Sequence, residues 1–181
     1  MYLSTIKTHF KKIPDFIWLS VVFFVTHLPS LTLLPVFADE AIYIRWAQLI
    51  QDDLGRYAFF SMSDGKPPLF MWTLSLALHL SPDPLWAGRF LSLLIGAITM
   101  FVIYVLTLDL TAKKQTARIA GVAVIILPFW FFYSRMALMD GLLTLLLTSA
   151  FFFVVKISKS QHTKYYIRYT FLFALTFGLA L

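Results

Sequence analysis

Long apolar runs separated by short polar stretches set the rhythm of this chain. The first run, Phe16 to Phe37, carries no charge and is long enough to cross a hydrocarbon core of about 30 Å at about 1.5 Å per residue. Pro29 and Pro35 lie in its second half and predict a kink or an early unwinding. From Ala38 to Lys66 the pattern changes. Tyr43, Trp46, Ala47, Ile50 and Leu54 recur at helical spacing while Arg45, Gln48 and Asp52 fall on the other side, which predicts a short amphipathic helix in the interface. Asp39 is its expected N-cap and Gly55 its expected stop.

Pro67 to Leu80 is apolar but short, in the range of interfacial or re-entrant segments. Were it a span, the Lys113, Lys114 and Arg118 cluster and the lysines from Lys156 to Lys164 would both face outside, against the positive-inside rule. It is therefore placed along the outer surface as a second interfacial helix, started by Pro67-Pro68 and stopped by Ser81-Pro82-Asp83-Pro84. Trp86 to Leu110, Ile119 to Tyr133, Met139 to Val155 and Tyr165 to Leu181 then span in turn. The expected fold is all-α: a polytopic transmembrane bundle of about five spans, with two interfacial helices in an external loop over residues 38–84.

Composition agrees with that reading. Apolar residues make up 60 % of the chain and charged residues 13 %, against about 45–50 % and about 25 % in soluble domains. The net charge of +6 resides in clusters at the ends of apolar runs, which is an orientation signal and not a nucleic-acid footprint. Lys7, Lys11 and Lys12 place the N-terminus in the cytoplasm, and the run after them reads as a retained first helix without a cleavage site. The chain has no cysteine, which excludes disulfides and thiolate chemistry. Phe171 to Leu181 ends inside an apolar run, so the chain is expected to be a piece of a longer protein.

This topology brings Asp39, Glu40, Asp64, Lys66, Arg89, Arg135 and Asp140 to one external face. Each has a simpler reading. Asp39 and Asp140 can cap helices, Lys66 and Arg135 can snorkel to headgroups, and Glu40 can be a solvated first-turn acid. Together they offer more: a carboxylate at a helix end can act as general base, and lysine or arginine can hold the charge of a departing phosphate. A site of that kind at membrane depth suits a substrate whose lipid tail stays in the bilayer.

Asp39-Glu40 with Tyr43, then Lys66-Pro67-Pro68-Leu69, Gly88-Arg89-Phe90 with Ser92 and Gly96, Ser134-Arg135 and Met139-Asp140 together resemble the N-terminal half of GT-C type membrane glycosyltransferases. The resemblance is to bacterial relatives of the dolichyl-phosphate-mannose protein mannosyltransferases and to the lipid A aminoarabinose transferase. It implies an inner-membrane enzyme that passes a sugar from a polyprenyl-phosphate donor to an acceptor on the periplasmic face. It further implies Asp39 as catalytic base with Glu40 beside it, and Lys66, Arg135 and Arg89 as partners of the donor phosphate. Asp140, with Asp64 and Tyr43, would line the cavity for acceptor or a divalent metal. Some relatives carry a glutamate before the Lys-Pro-Pro lysine where this chain has Gly65, so no clear metal-ligand set is identified. The acceptor is not legible. A transporter or flippase for a lipid-linked or anionic substrate, or a small assembly protein, are the competing readings.

Overall fold

The computed structural model describes residues 14–160 and 162–180; the lysines expected to orient the N-terminus lie outside them. The described residues form helices and turns, with no strand among them. Helix α1, Asp15–His27, has 13 residues and therefore a length of about 20 Å. It stops just before Pro29, and Leu28 to Phe37 runs on as turns and extended chain. The expected crossing over Phe16 to Phe37 is thus halved, because Pro29 and Pro35 cannot donate to a helical ladder.

Helix α2, Ala38–Asp52, is the first amphipathic helix expected, and its inner stripe is Glu40, Tyr43, Ile44, Ala47 and Ile50. Its N-cap is Phe37 and not Asp39, and it ends at Asp53 ahead of Gly55. Asp53 instead caps the short α3, Leu54–Tyr57, by accepting from the Arg56 N–H. A 3₁₀ turn, Phe60–Asp64, closes on Gly65 at φ +70°, a left-handed conformation open to glycine at no steric cost. Helix α4, Leu69–Ala77, with a 3₁₀ turn to Leu80, lies against α2. Tyr43 meets Phe70 edge-on, and Gln51 bonds the Ser75 carbonyl and the His79 ring.

Asp83 caps the 28-residue helix α5, Pro84–Thr111, about 42 Å long. Then come α6, Lys114–Ile126, α7, Pro128–Tyr133, α8, Met139–Lys159, and α9, Thr163–Ala180. Two of the described helices, α5 and α8, are long and apolar enough to cross a membrane, against the five spans expected. The run over Ile119 to Tyr133 is broken at Pro128 into α6 and α7, and α9 opens with Lys164, Tyr165, Tyr166 and Arg168, which make its first turns polar.

Two buried clusters hold the molecule. Tyr43, Ile44, Phe70, Leu74 and Leu138 bind α2 and α4 to one end of α5 and α8. Leu19, Phe23, Leu93, Met100 and Val124 bind α1, α5 and α6. Gly96 allows the closest approach in this packing: a Cβ there would stand 2.8 Å from that of Ser134. The two ends of the bundle are marked by charge pairs, Arg118 with Asp15 and Lys156 with Asp109 at one, Arg89 with Glu40 at the other.

Candidate active site

The site end is organised by one buried ion pair. Glu40 Oε1 accepts from Arg89 Nε at 2.9 Å and from the Ala137 N–H at 2.8 Å; Oε2 accepts from Arg89 Nη2 at 2.8 Å and from the Phe37 N–H at 3.0 Å. Arg89 spends its other N–H groups on backbone. Nη1 donates to the carbonyls of Leu31 and Leu34, and Nη2 to that of Pro35. A guanidinium has five N–H donors, and all are used here. These carbonyls belong to the stretch that Pro29 and Pro35 keep out of helix, and backbone polar groups withdrawn from water need partners. Arg89 supplies them.

Glu40 and Arg89 are 0 % and 1 % exposed, closed to solvent in this structure. Glu40, expected beside the base, here accepts from Arg89 and two backbone N–H groups, and Arg89, expected at the donor phosphate, here holds Glu40 and three backbone carbonyls. Burial by itself would raise the Glu40 pKa, but the bonds from Arg89 and from the Phe37 and Ala137 N–H groups outweigh it and hold the carboxyl below the ordinary glutamate range. The clamp ties the start of α2, the unwound stretch, α5 and the segment before α8 into one unit.

The neighbours of the clamp face outward. Asp39 and Asp140 are exposed at the first turns of α2 and α8, and Asp64 is exposed just before Gly65. All three act on one group: the buried Tyr43 hydroxyl is pushed up to about 12, first by burial and then by the negative charge of Asp39, Asp140 and Asp64. Tyr43 therefore stays a neutral phenol and a hydrogen-bond donor among these acids. Among the described residues no group of three or more His, Asp or Glu side chains is placed to hold a metal ion.

Two cations complete this face. Arg135 donates from Nη2 to the carbonyls of Pro29 and Ser30, both at 2.9 Å, and lies over the Phe131 ring at 4.9 Å. Burial, and then the charge of Arg89, lower its pKa, and its Nε and Nη1 have no protein partner among the described residues. Lys66 is half-buried without an ion pair among those residues, next to Pro67-Pro68 at the start of α4. An apolar groove runs from Pro67 and Leu69 past Met139, Leu142 and Leu146 to Leu179.

Residues 65–180 match the family model of the dolichyl-phosphate-mannose-protein mannosyltransferases. The chain belongs to this mannosyltransferase family. Searches of curated proteins and of solved structures gave no match. The family points to glycosyltransferase chemistry in a membrane, and α5 and α8 supply helices able to cross one. The matched stretch holds Lys66, Arg89, Arg135 and Asp140. Asp39, Glu40 and Tyr43 precede it and join the site through the clamp.

Sequence reasoning missed the clamp, although a signal was present. Glu40 lies on the apolar stripe with Tyr43, Ile44 and Ala47, and Asp39 does not. It also missed a cavity of about 220 Å³ between α5, α7 and α8, into which Asp140 faces.

Proposed function

We propose that this chain carries part of a site that transfers a sugar from a polyprenyl-phosphate donor to an acceptor at the external, periplasmic face of a bacterial inner membrane. The observation that carries the proposal is that Asp39 and Asp140 open α2 and α8 next to the two segments that Glu40 ties together through the Phe37 and Ala137 N–H groups, with Lys66 and Arg135 at the same end of the bundle. Asp39 is exposed at the start of α2 and free to act as base. It takes the proton of the acceptor group as that group attacks the anomeric carbon; the bond from that carbon to the phosphate oxygen breaks, and the configuration inverts. Lys66 and the free edge of Arg135 bind the departing phosphate, whose charge grows as the bond lengthens. Asp140, Asp64 and the Tyr43 hydroxyl orient the acceptor.

The apolar groove beginning at Pro67, directly after Lys66, suits a lipid tail attached to that phosphate. The basic residues at the opposite end, Lys113, Lys114, Lys156 and Lys159, favour a cytoplasmic placement of that end and, with it, of the N-terminus. The test is sugar transfer by the purified protein in detergent, where no gradient exists to drive a transporter. Asp39→Asn is expected to slow transfer from the polyprenyl-phosphate sugar by about 10²–10⁴-fold while leaving donor binding intact. Transfer at the wild-type rate would refute the assignment of the base.

A further inference from the structure

A cavity of about 410 Å³ opens at the end of the bundle away from Lys66 and Arg135, where α8 ends and α9 begins. Its walls include Asp109, Lys156, Lys159, His162, Tyr165 and Tyr169. Its charges do not cancel. Asp109 is the one acid among the described residues that line it; its carboxylate pairs with Lys156, and its backbone carbonyl accepts from Lys159. An ammonium has three N–H donors, so both lysines keep donors to spare, and the exposed Lys159 has no carboxylate partner among the described residues. Helix α9 adds Lys164 and Arg168 and has no acid in its first turn. We propose that this cavity holds the phosphate of an anionic phospholipid from the leaflet at that end of the bundle.

The cations call for an anion, and the surroundings select a lipid. Tyr165 stacks with Tyr169, and Tyr169 with Phe153, each at 6.5 Å, so an aromatic file leads from the cavity in between α8 and α9. Beyond it α8 exposes Leu147, Phe151 and Val154, and α9 exposes Phe171 and Leu175. Tyrosines favour the headgroup level of a membrane, and the apolar faces past them suit acyl chains. Helix α8 is long and apolar enough to cross a membrane, and basic pockets between helices at a cytoplasmic surface bind anionic headgroups. A free phosphate or a nucleotide would use the lysines and leave the aromatic file without a partner. A divalent cation would meet the lysine charges. Asp39, Lys66 and Arg135 lie at the other end, so lipid held here does not depend on sugar transfer there.

The test is native mass spectrometry of the purified protein in detergent, titrated with phosphatidylglycerol or with phosphatidylcholine of the same chains, and with inorganic phosphate as competitor. The wild type is expected to hold one phosphatidylglycerol more tightly than phosphatidylcholine by a factor on the order of 25, roughly fivefold from each of the two lysines. Lys159 is exposed at the last turn of α8, so its replacement leaves the folded bundle in place. Lys159→Gln should lower the preference roughly fivefold, and Lys159→Arg should keep it. Lys113→Gln combined with Lys114→Gln removes charge at the same end outside the cavity walls and should leave the preference unchanged. Equal binding of the two lipids by the wild type would overturn the site, as would a full preference in Lys159→Gln. An equal loss in the Lys113 and Lys114 variant would overturn it too, by showing diffuse attraction only. Inorganic phosphate that displaces phosphatidylglycerol at equal concentration would overturn the lipid as occupant in favour of free phosphate.

Discussion

Removing the Glu40 carboxylate is the perturbation to which this architecture should respond most. Glu40→Ala leaves Arg89, 1 % exposed, without its counter-ion, and it strands the N–H groups of Phe37 and Ala137. Breaking a buried pair by removing one partner costs about 3–5 kcal/mol, and a stranded buried donor costs about 1–3 kcal/mol. The terms overlap, so about 3–5 kcal/mol is the working figure. For a chain of this size 1 kcal/mol moves the melting temperature by about 2–4 °C, and a fall of roughly 6–20 °C is expected. The assay is thermal unfolding of the protein in detergent at one fixed scan rate, because unfolding of such proteins is often irreversible. Glu40→Gln, which keeps the shape and one carbonyl acceptor, should fall less. Glu40→Ala combined with Arg89→Met should recover part of the loss, because no unpaired charge remains buried. A Glu40→Ala protein melting within about 2 °C of the wild type would refute the clamp.

Four further outcomes follow from the same geometry. The Glu40 pKa is lowered on folding, so its contribution is fully present above the ordinary glutamate value of about 4.3 and is lost as pH falls through the lower folded value. The melting difference between wild type and Glu40→Gln should hold at neutral pH and shrink below about pH 4, as read from a pH series of melts. Asp39→Asn should slow transfer by about 10²–10⁴-fold, the usual worth of a general base, without moving the melting temperature; a parallel loss of stability would recast Asp39 as structural. Lys66→Ala should raise the donor KM roughly tenfold with a smaller effect on kcat, the signature of lost phosphate binding, and steady-state kinetics decide it. Gly96→Val should destabilise by about 1–3 kcal/mol through overpacking, because its Cβ meets Ser134 at 2.8 Å; chemical or thermal unfolding reads this out.

How much of this was legible in the sequence depended on how local the cause was. The stripe of Tyr43, Ala47 and Ile50 and the proline brackets around α4 are short-range signals, and the elements formed where they pointed. Helix ends were less legible. Phe37 took the cap position expected of Asp39 because Glu40 reaches back to its N–H, and Gly55 was pre-empted by Asp53. The expected first and third spans were shortened by Pro29 and Pro128, whose positions were visible but whose effect depends on what receives the freed carbonyls. Which of two adjacent acids turns inward was set by a partner 49 residues away, a distance that no local pattern encodes. The cavity behind Asp140 was invisible for the same reason, since Ser92, Trp130 and Asp140 come from three helices.

A working site needs the acids and the free cations on one side of a membrane, with the Asp109 and Lys156 end on the other. The chain has no cysteine, so single cysteines can report this directly. In sealed vesicles of known orientation, Asp64→Cys and Asp140→Cys should react with a membrane-impermeant maleimide from the same side, and Lys113→Cys only from the opposite one. Labelling of Asp64→Cys and Asp140→Cys from opposite sides would separate Asp140 from Lys66 and contradict the site.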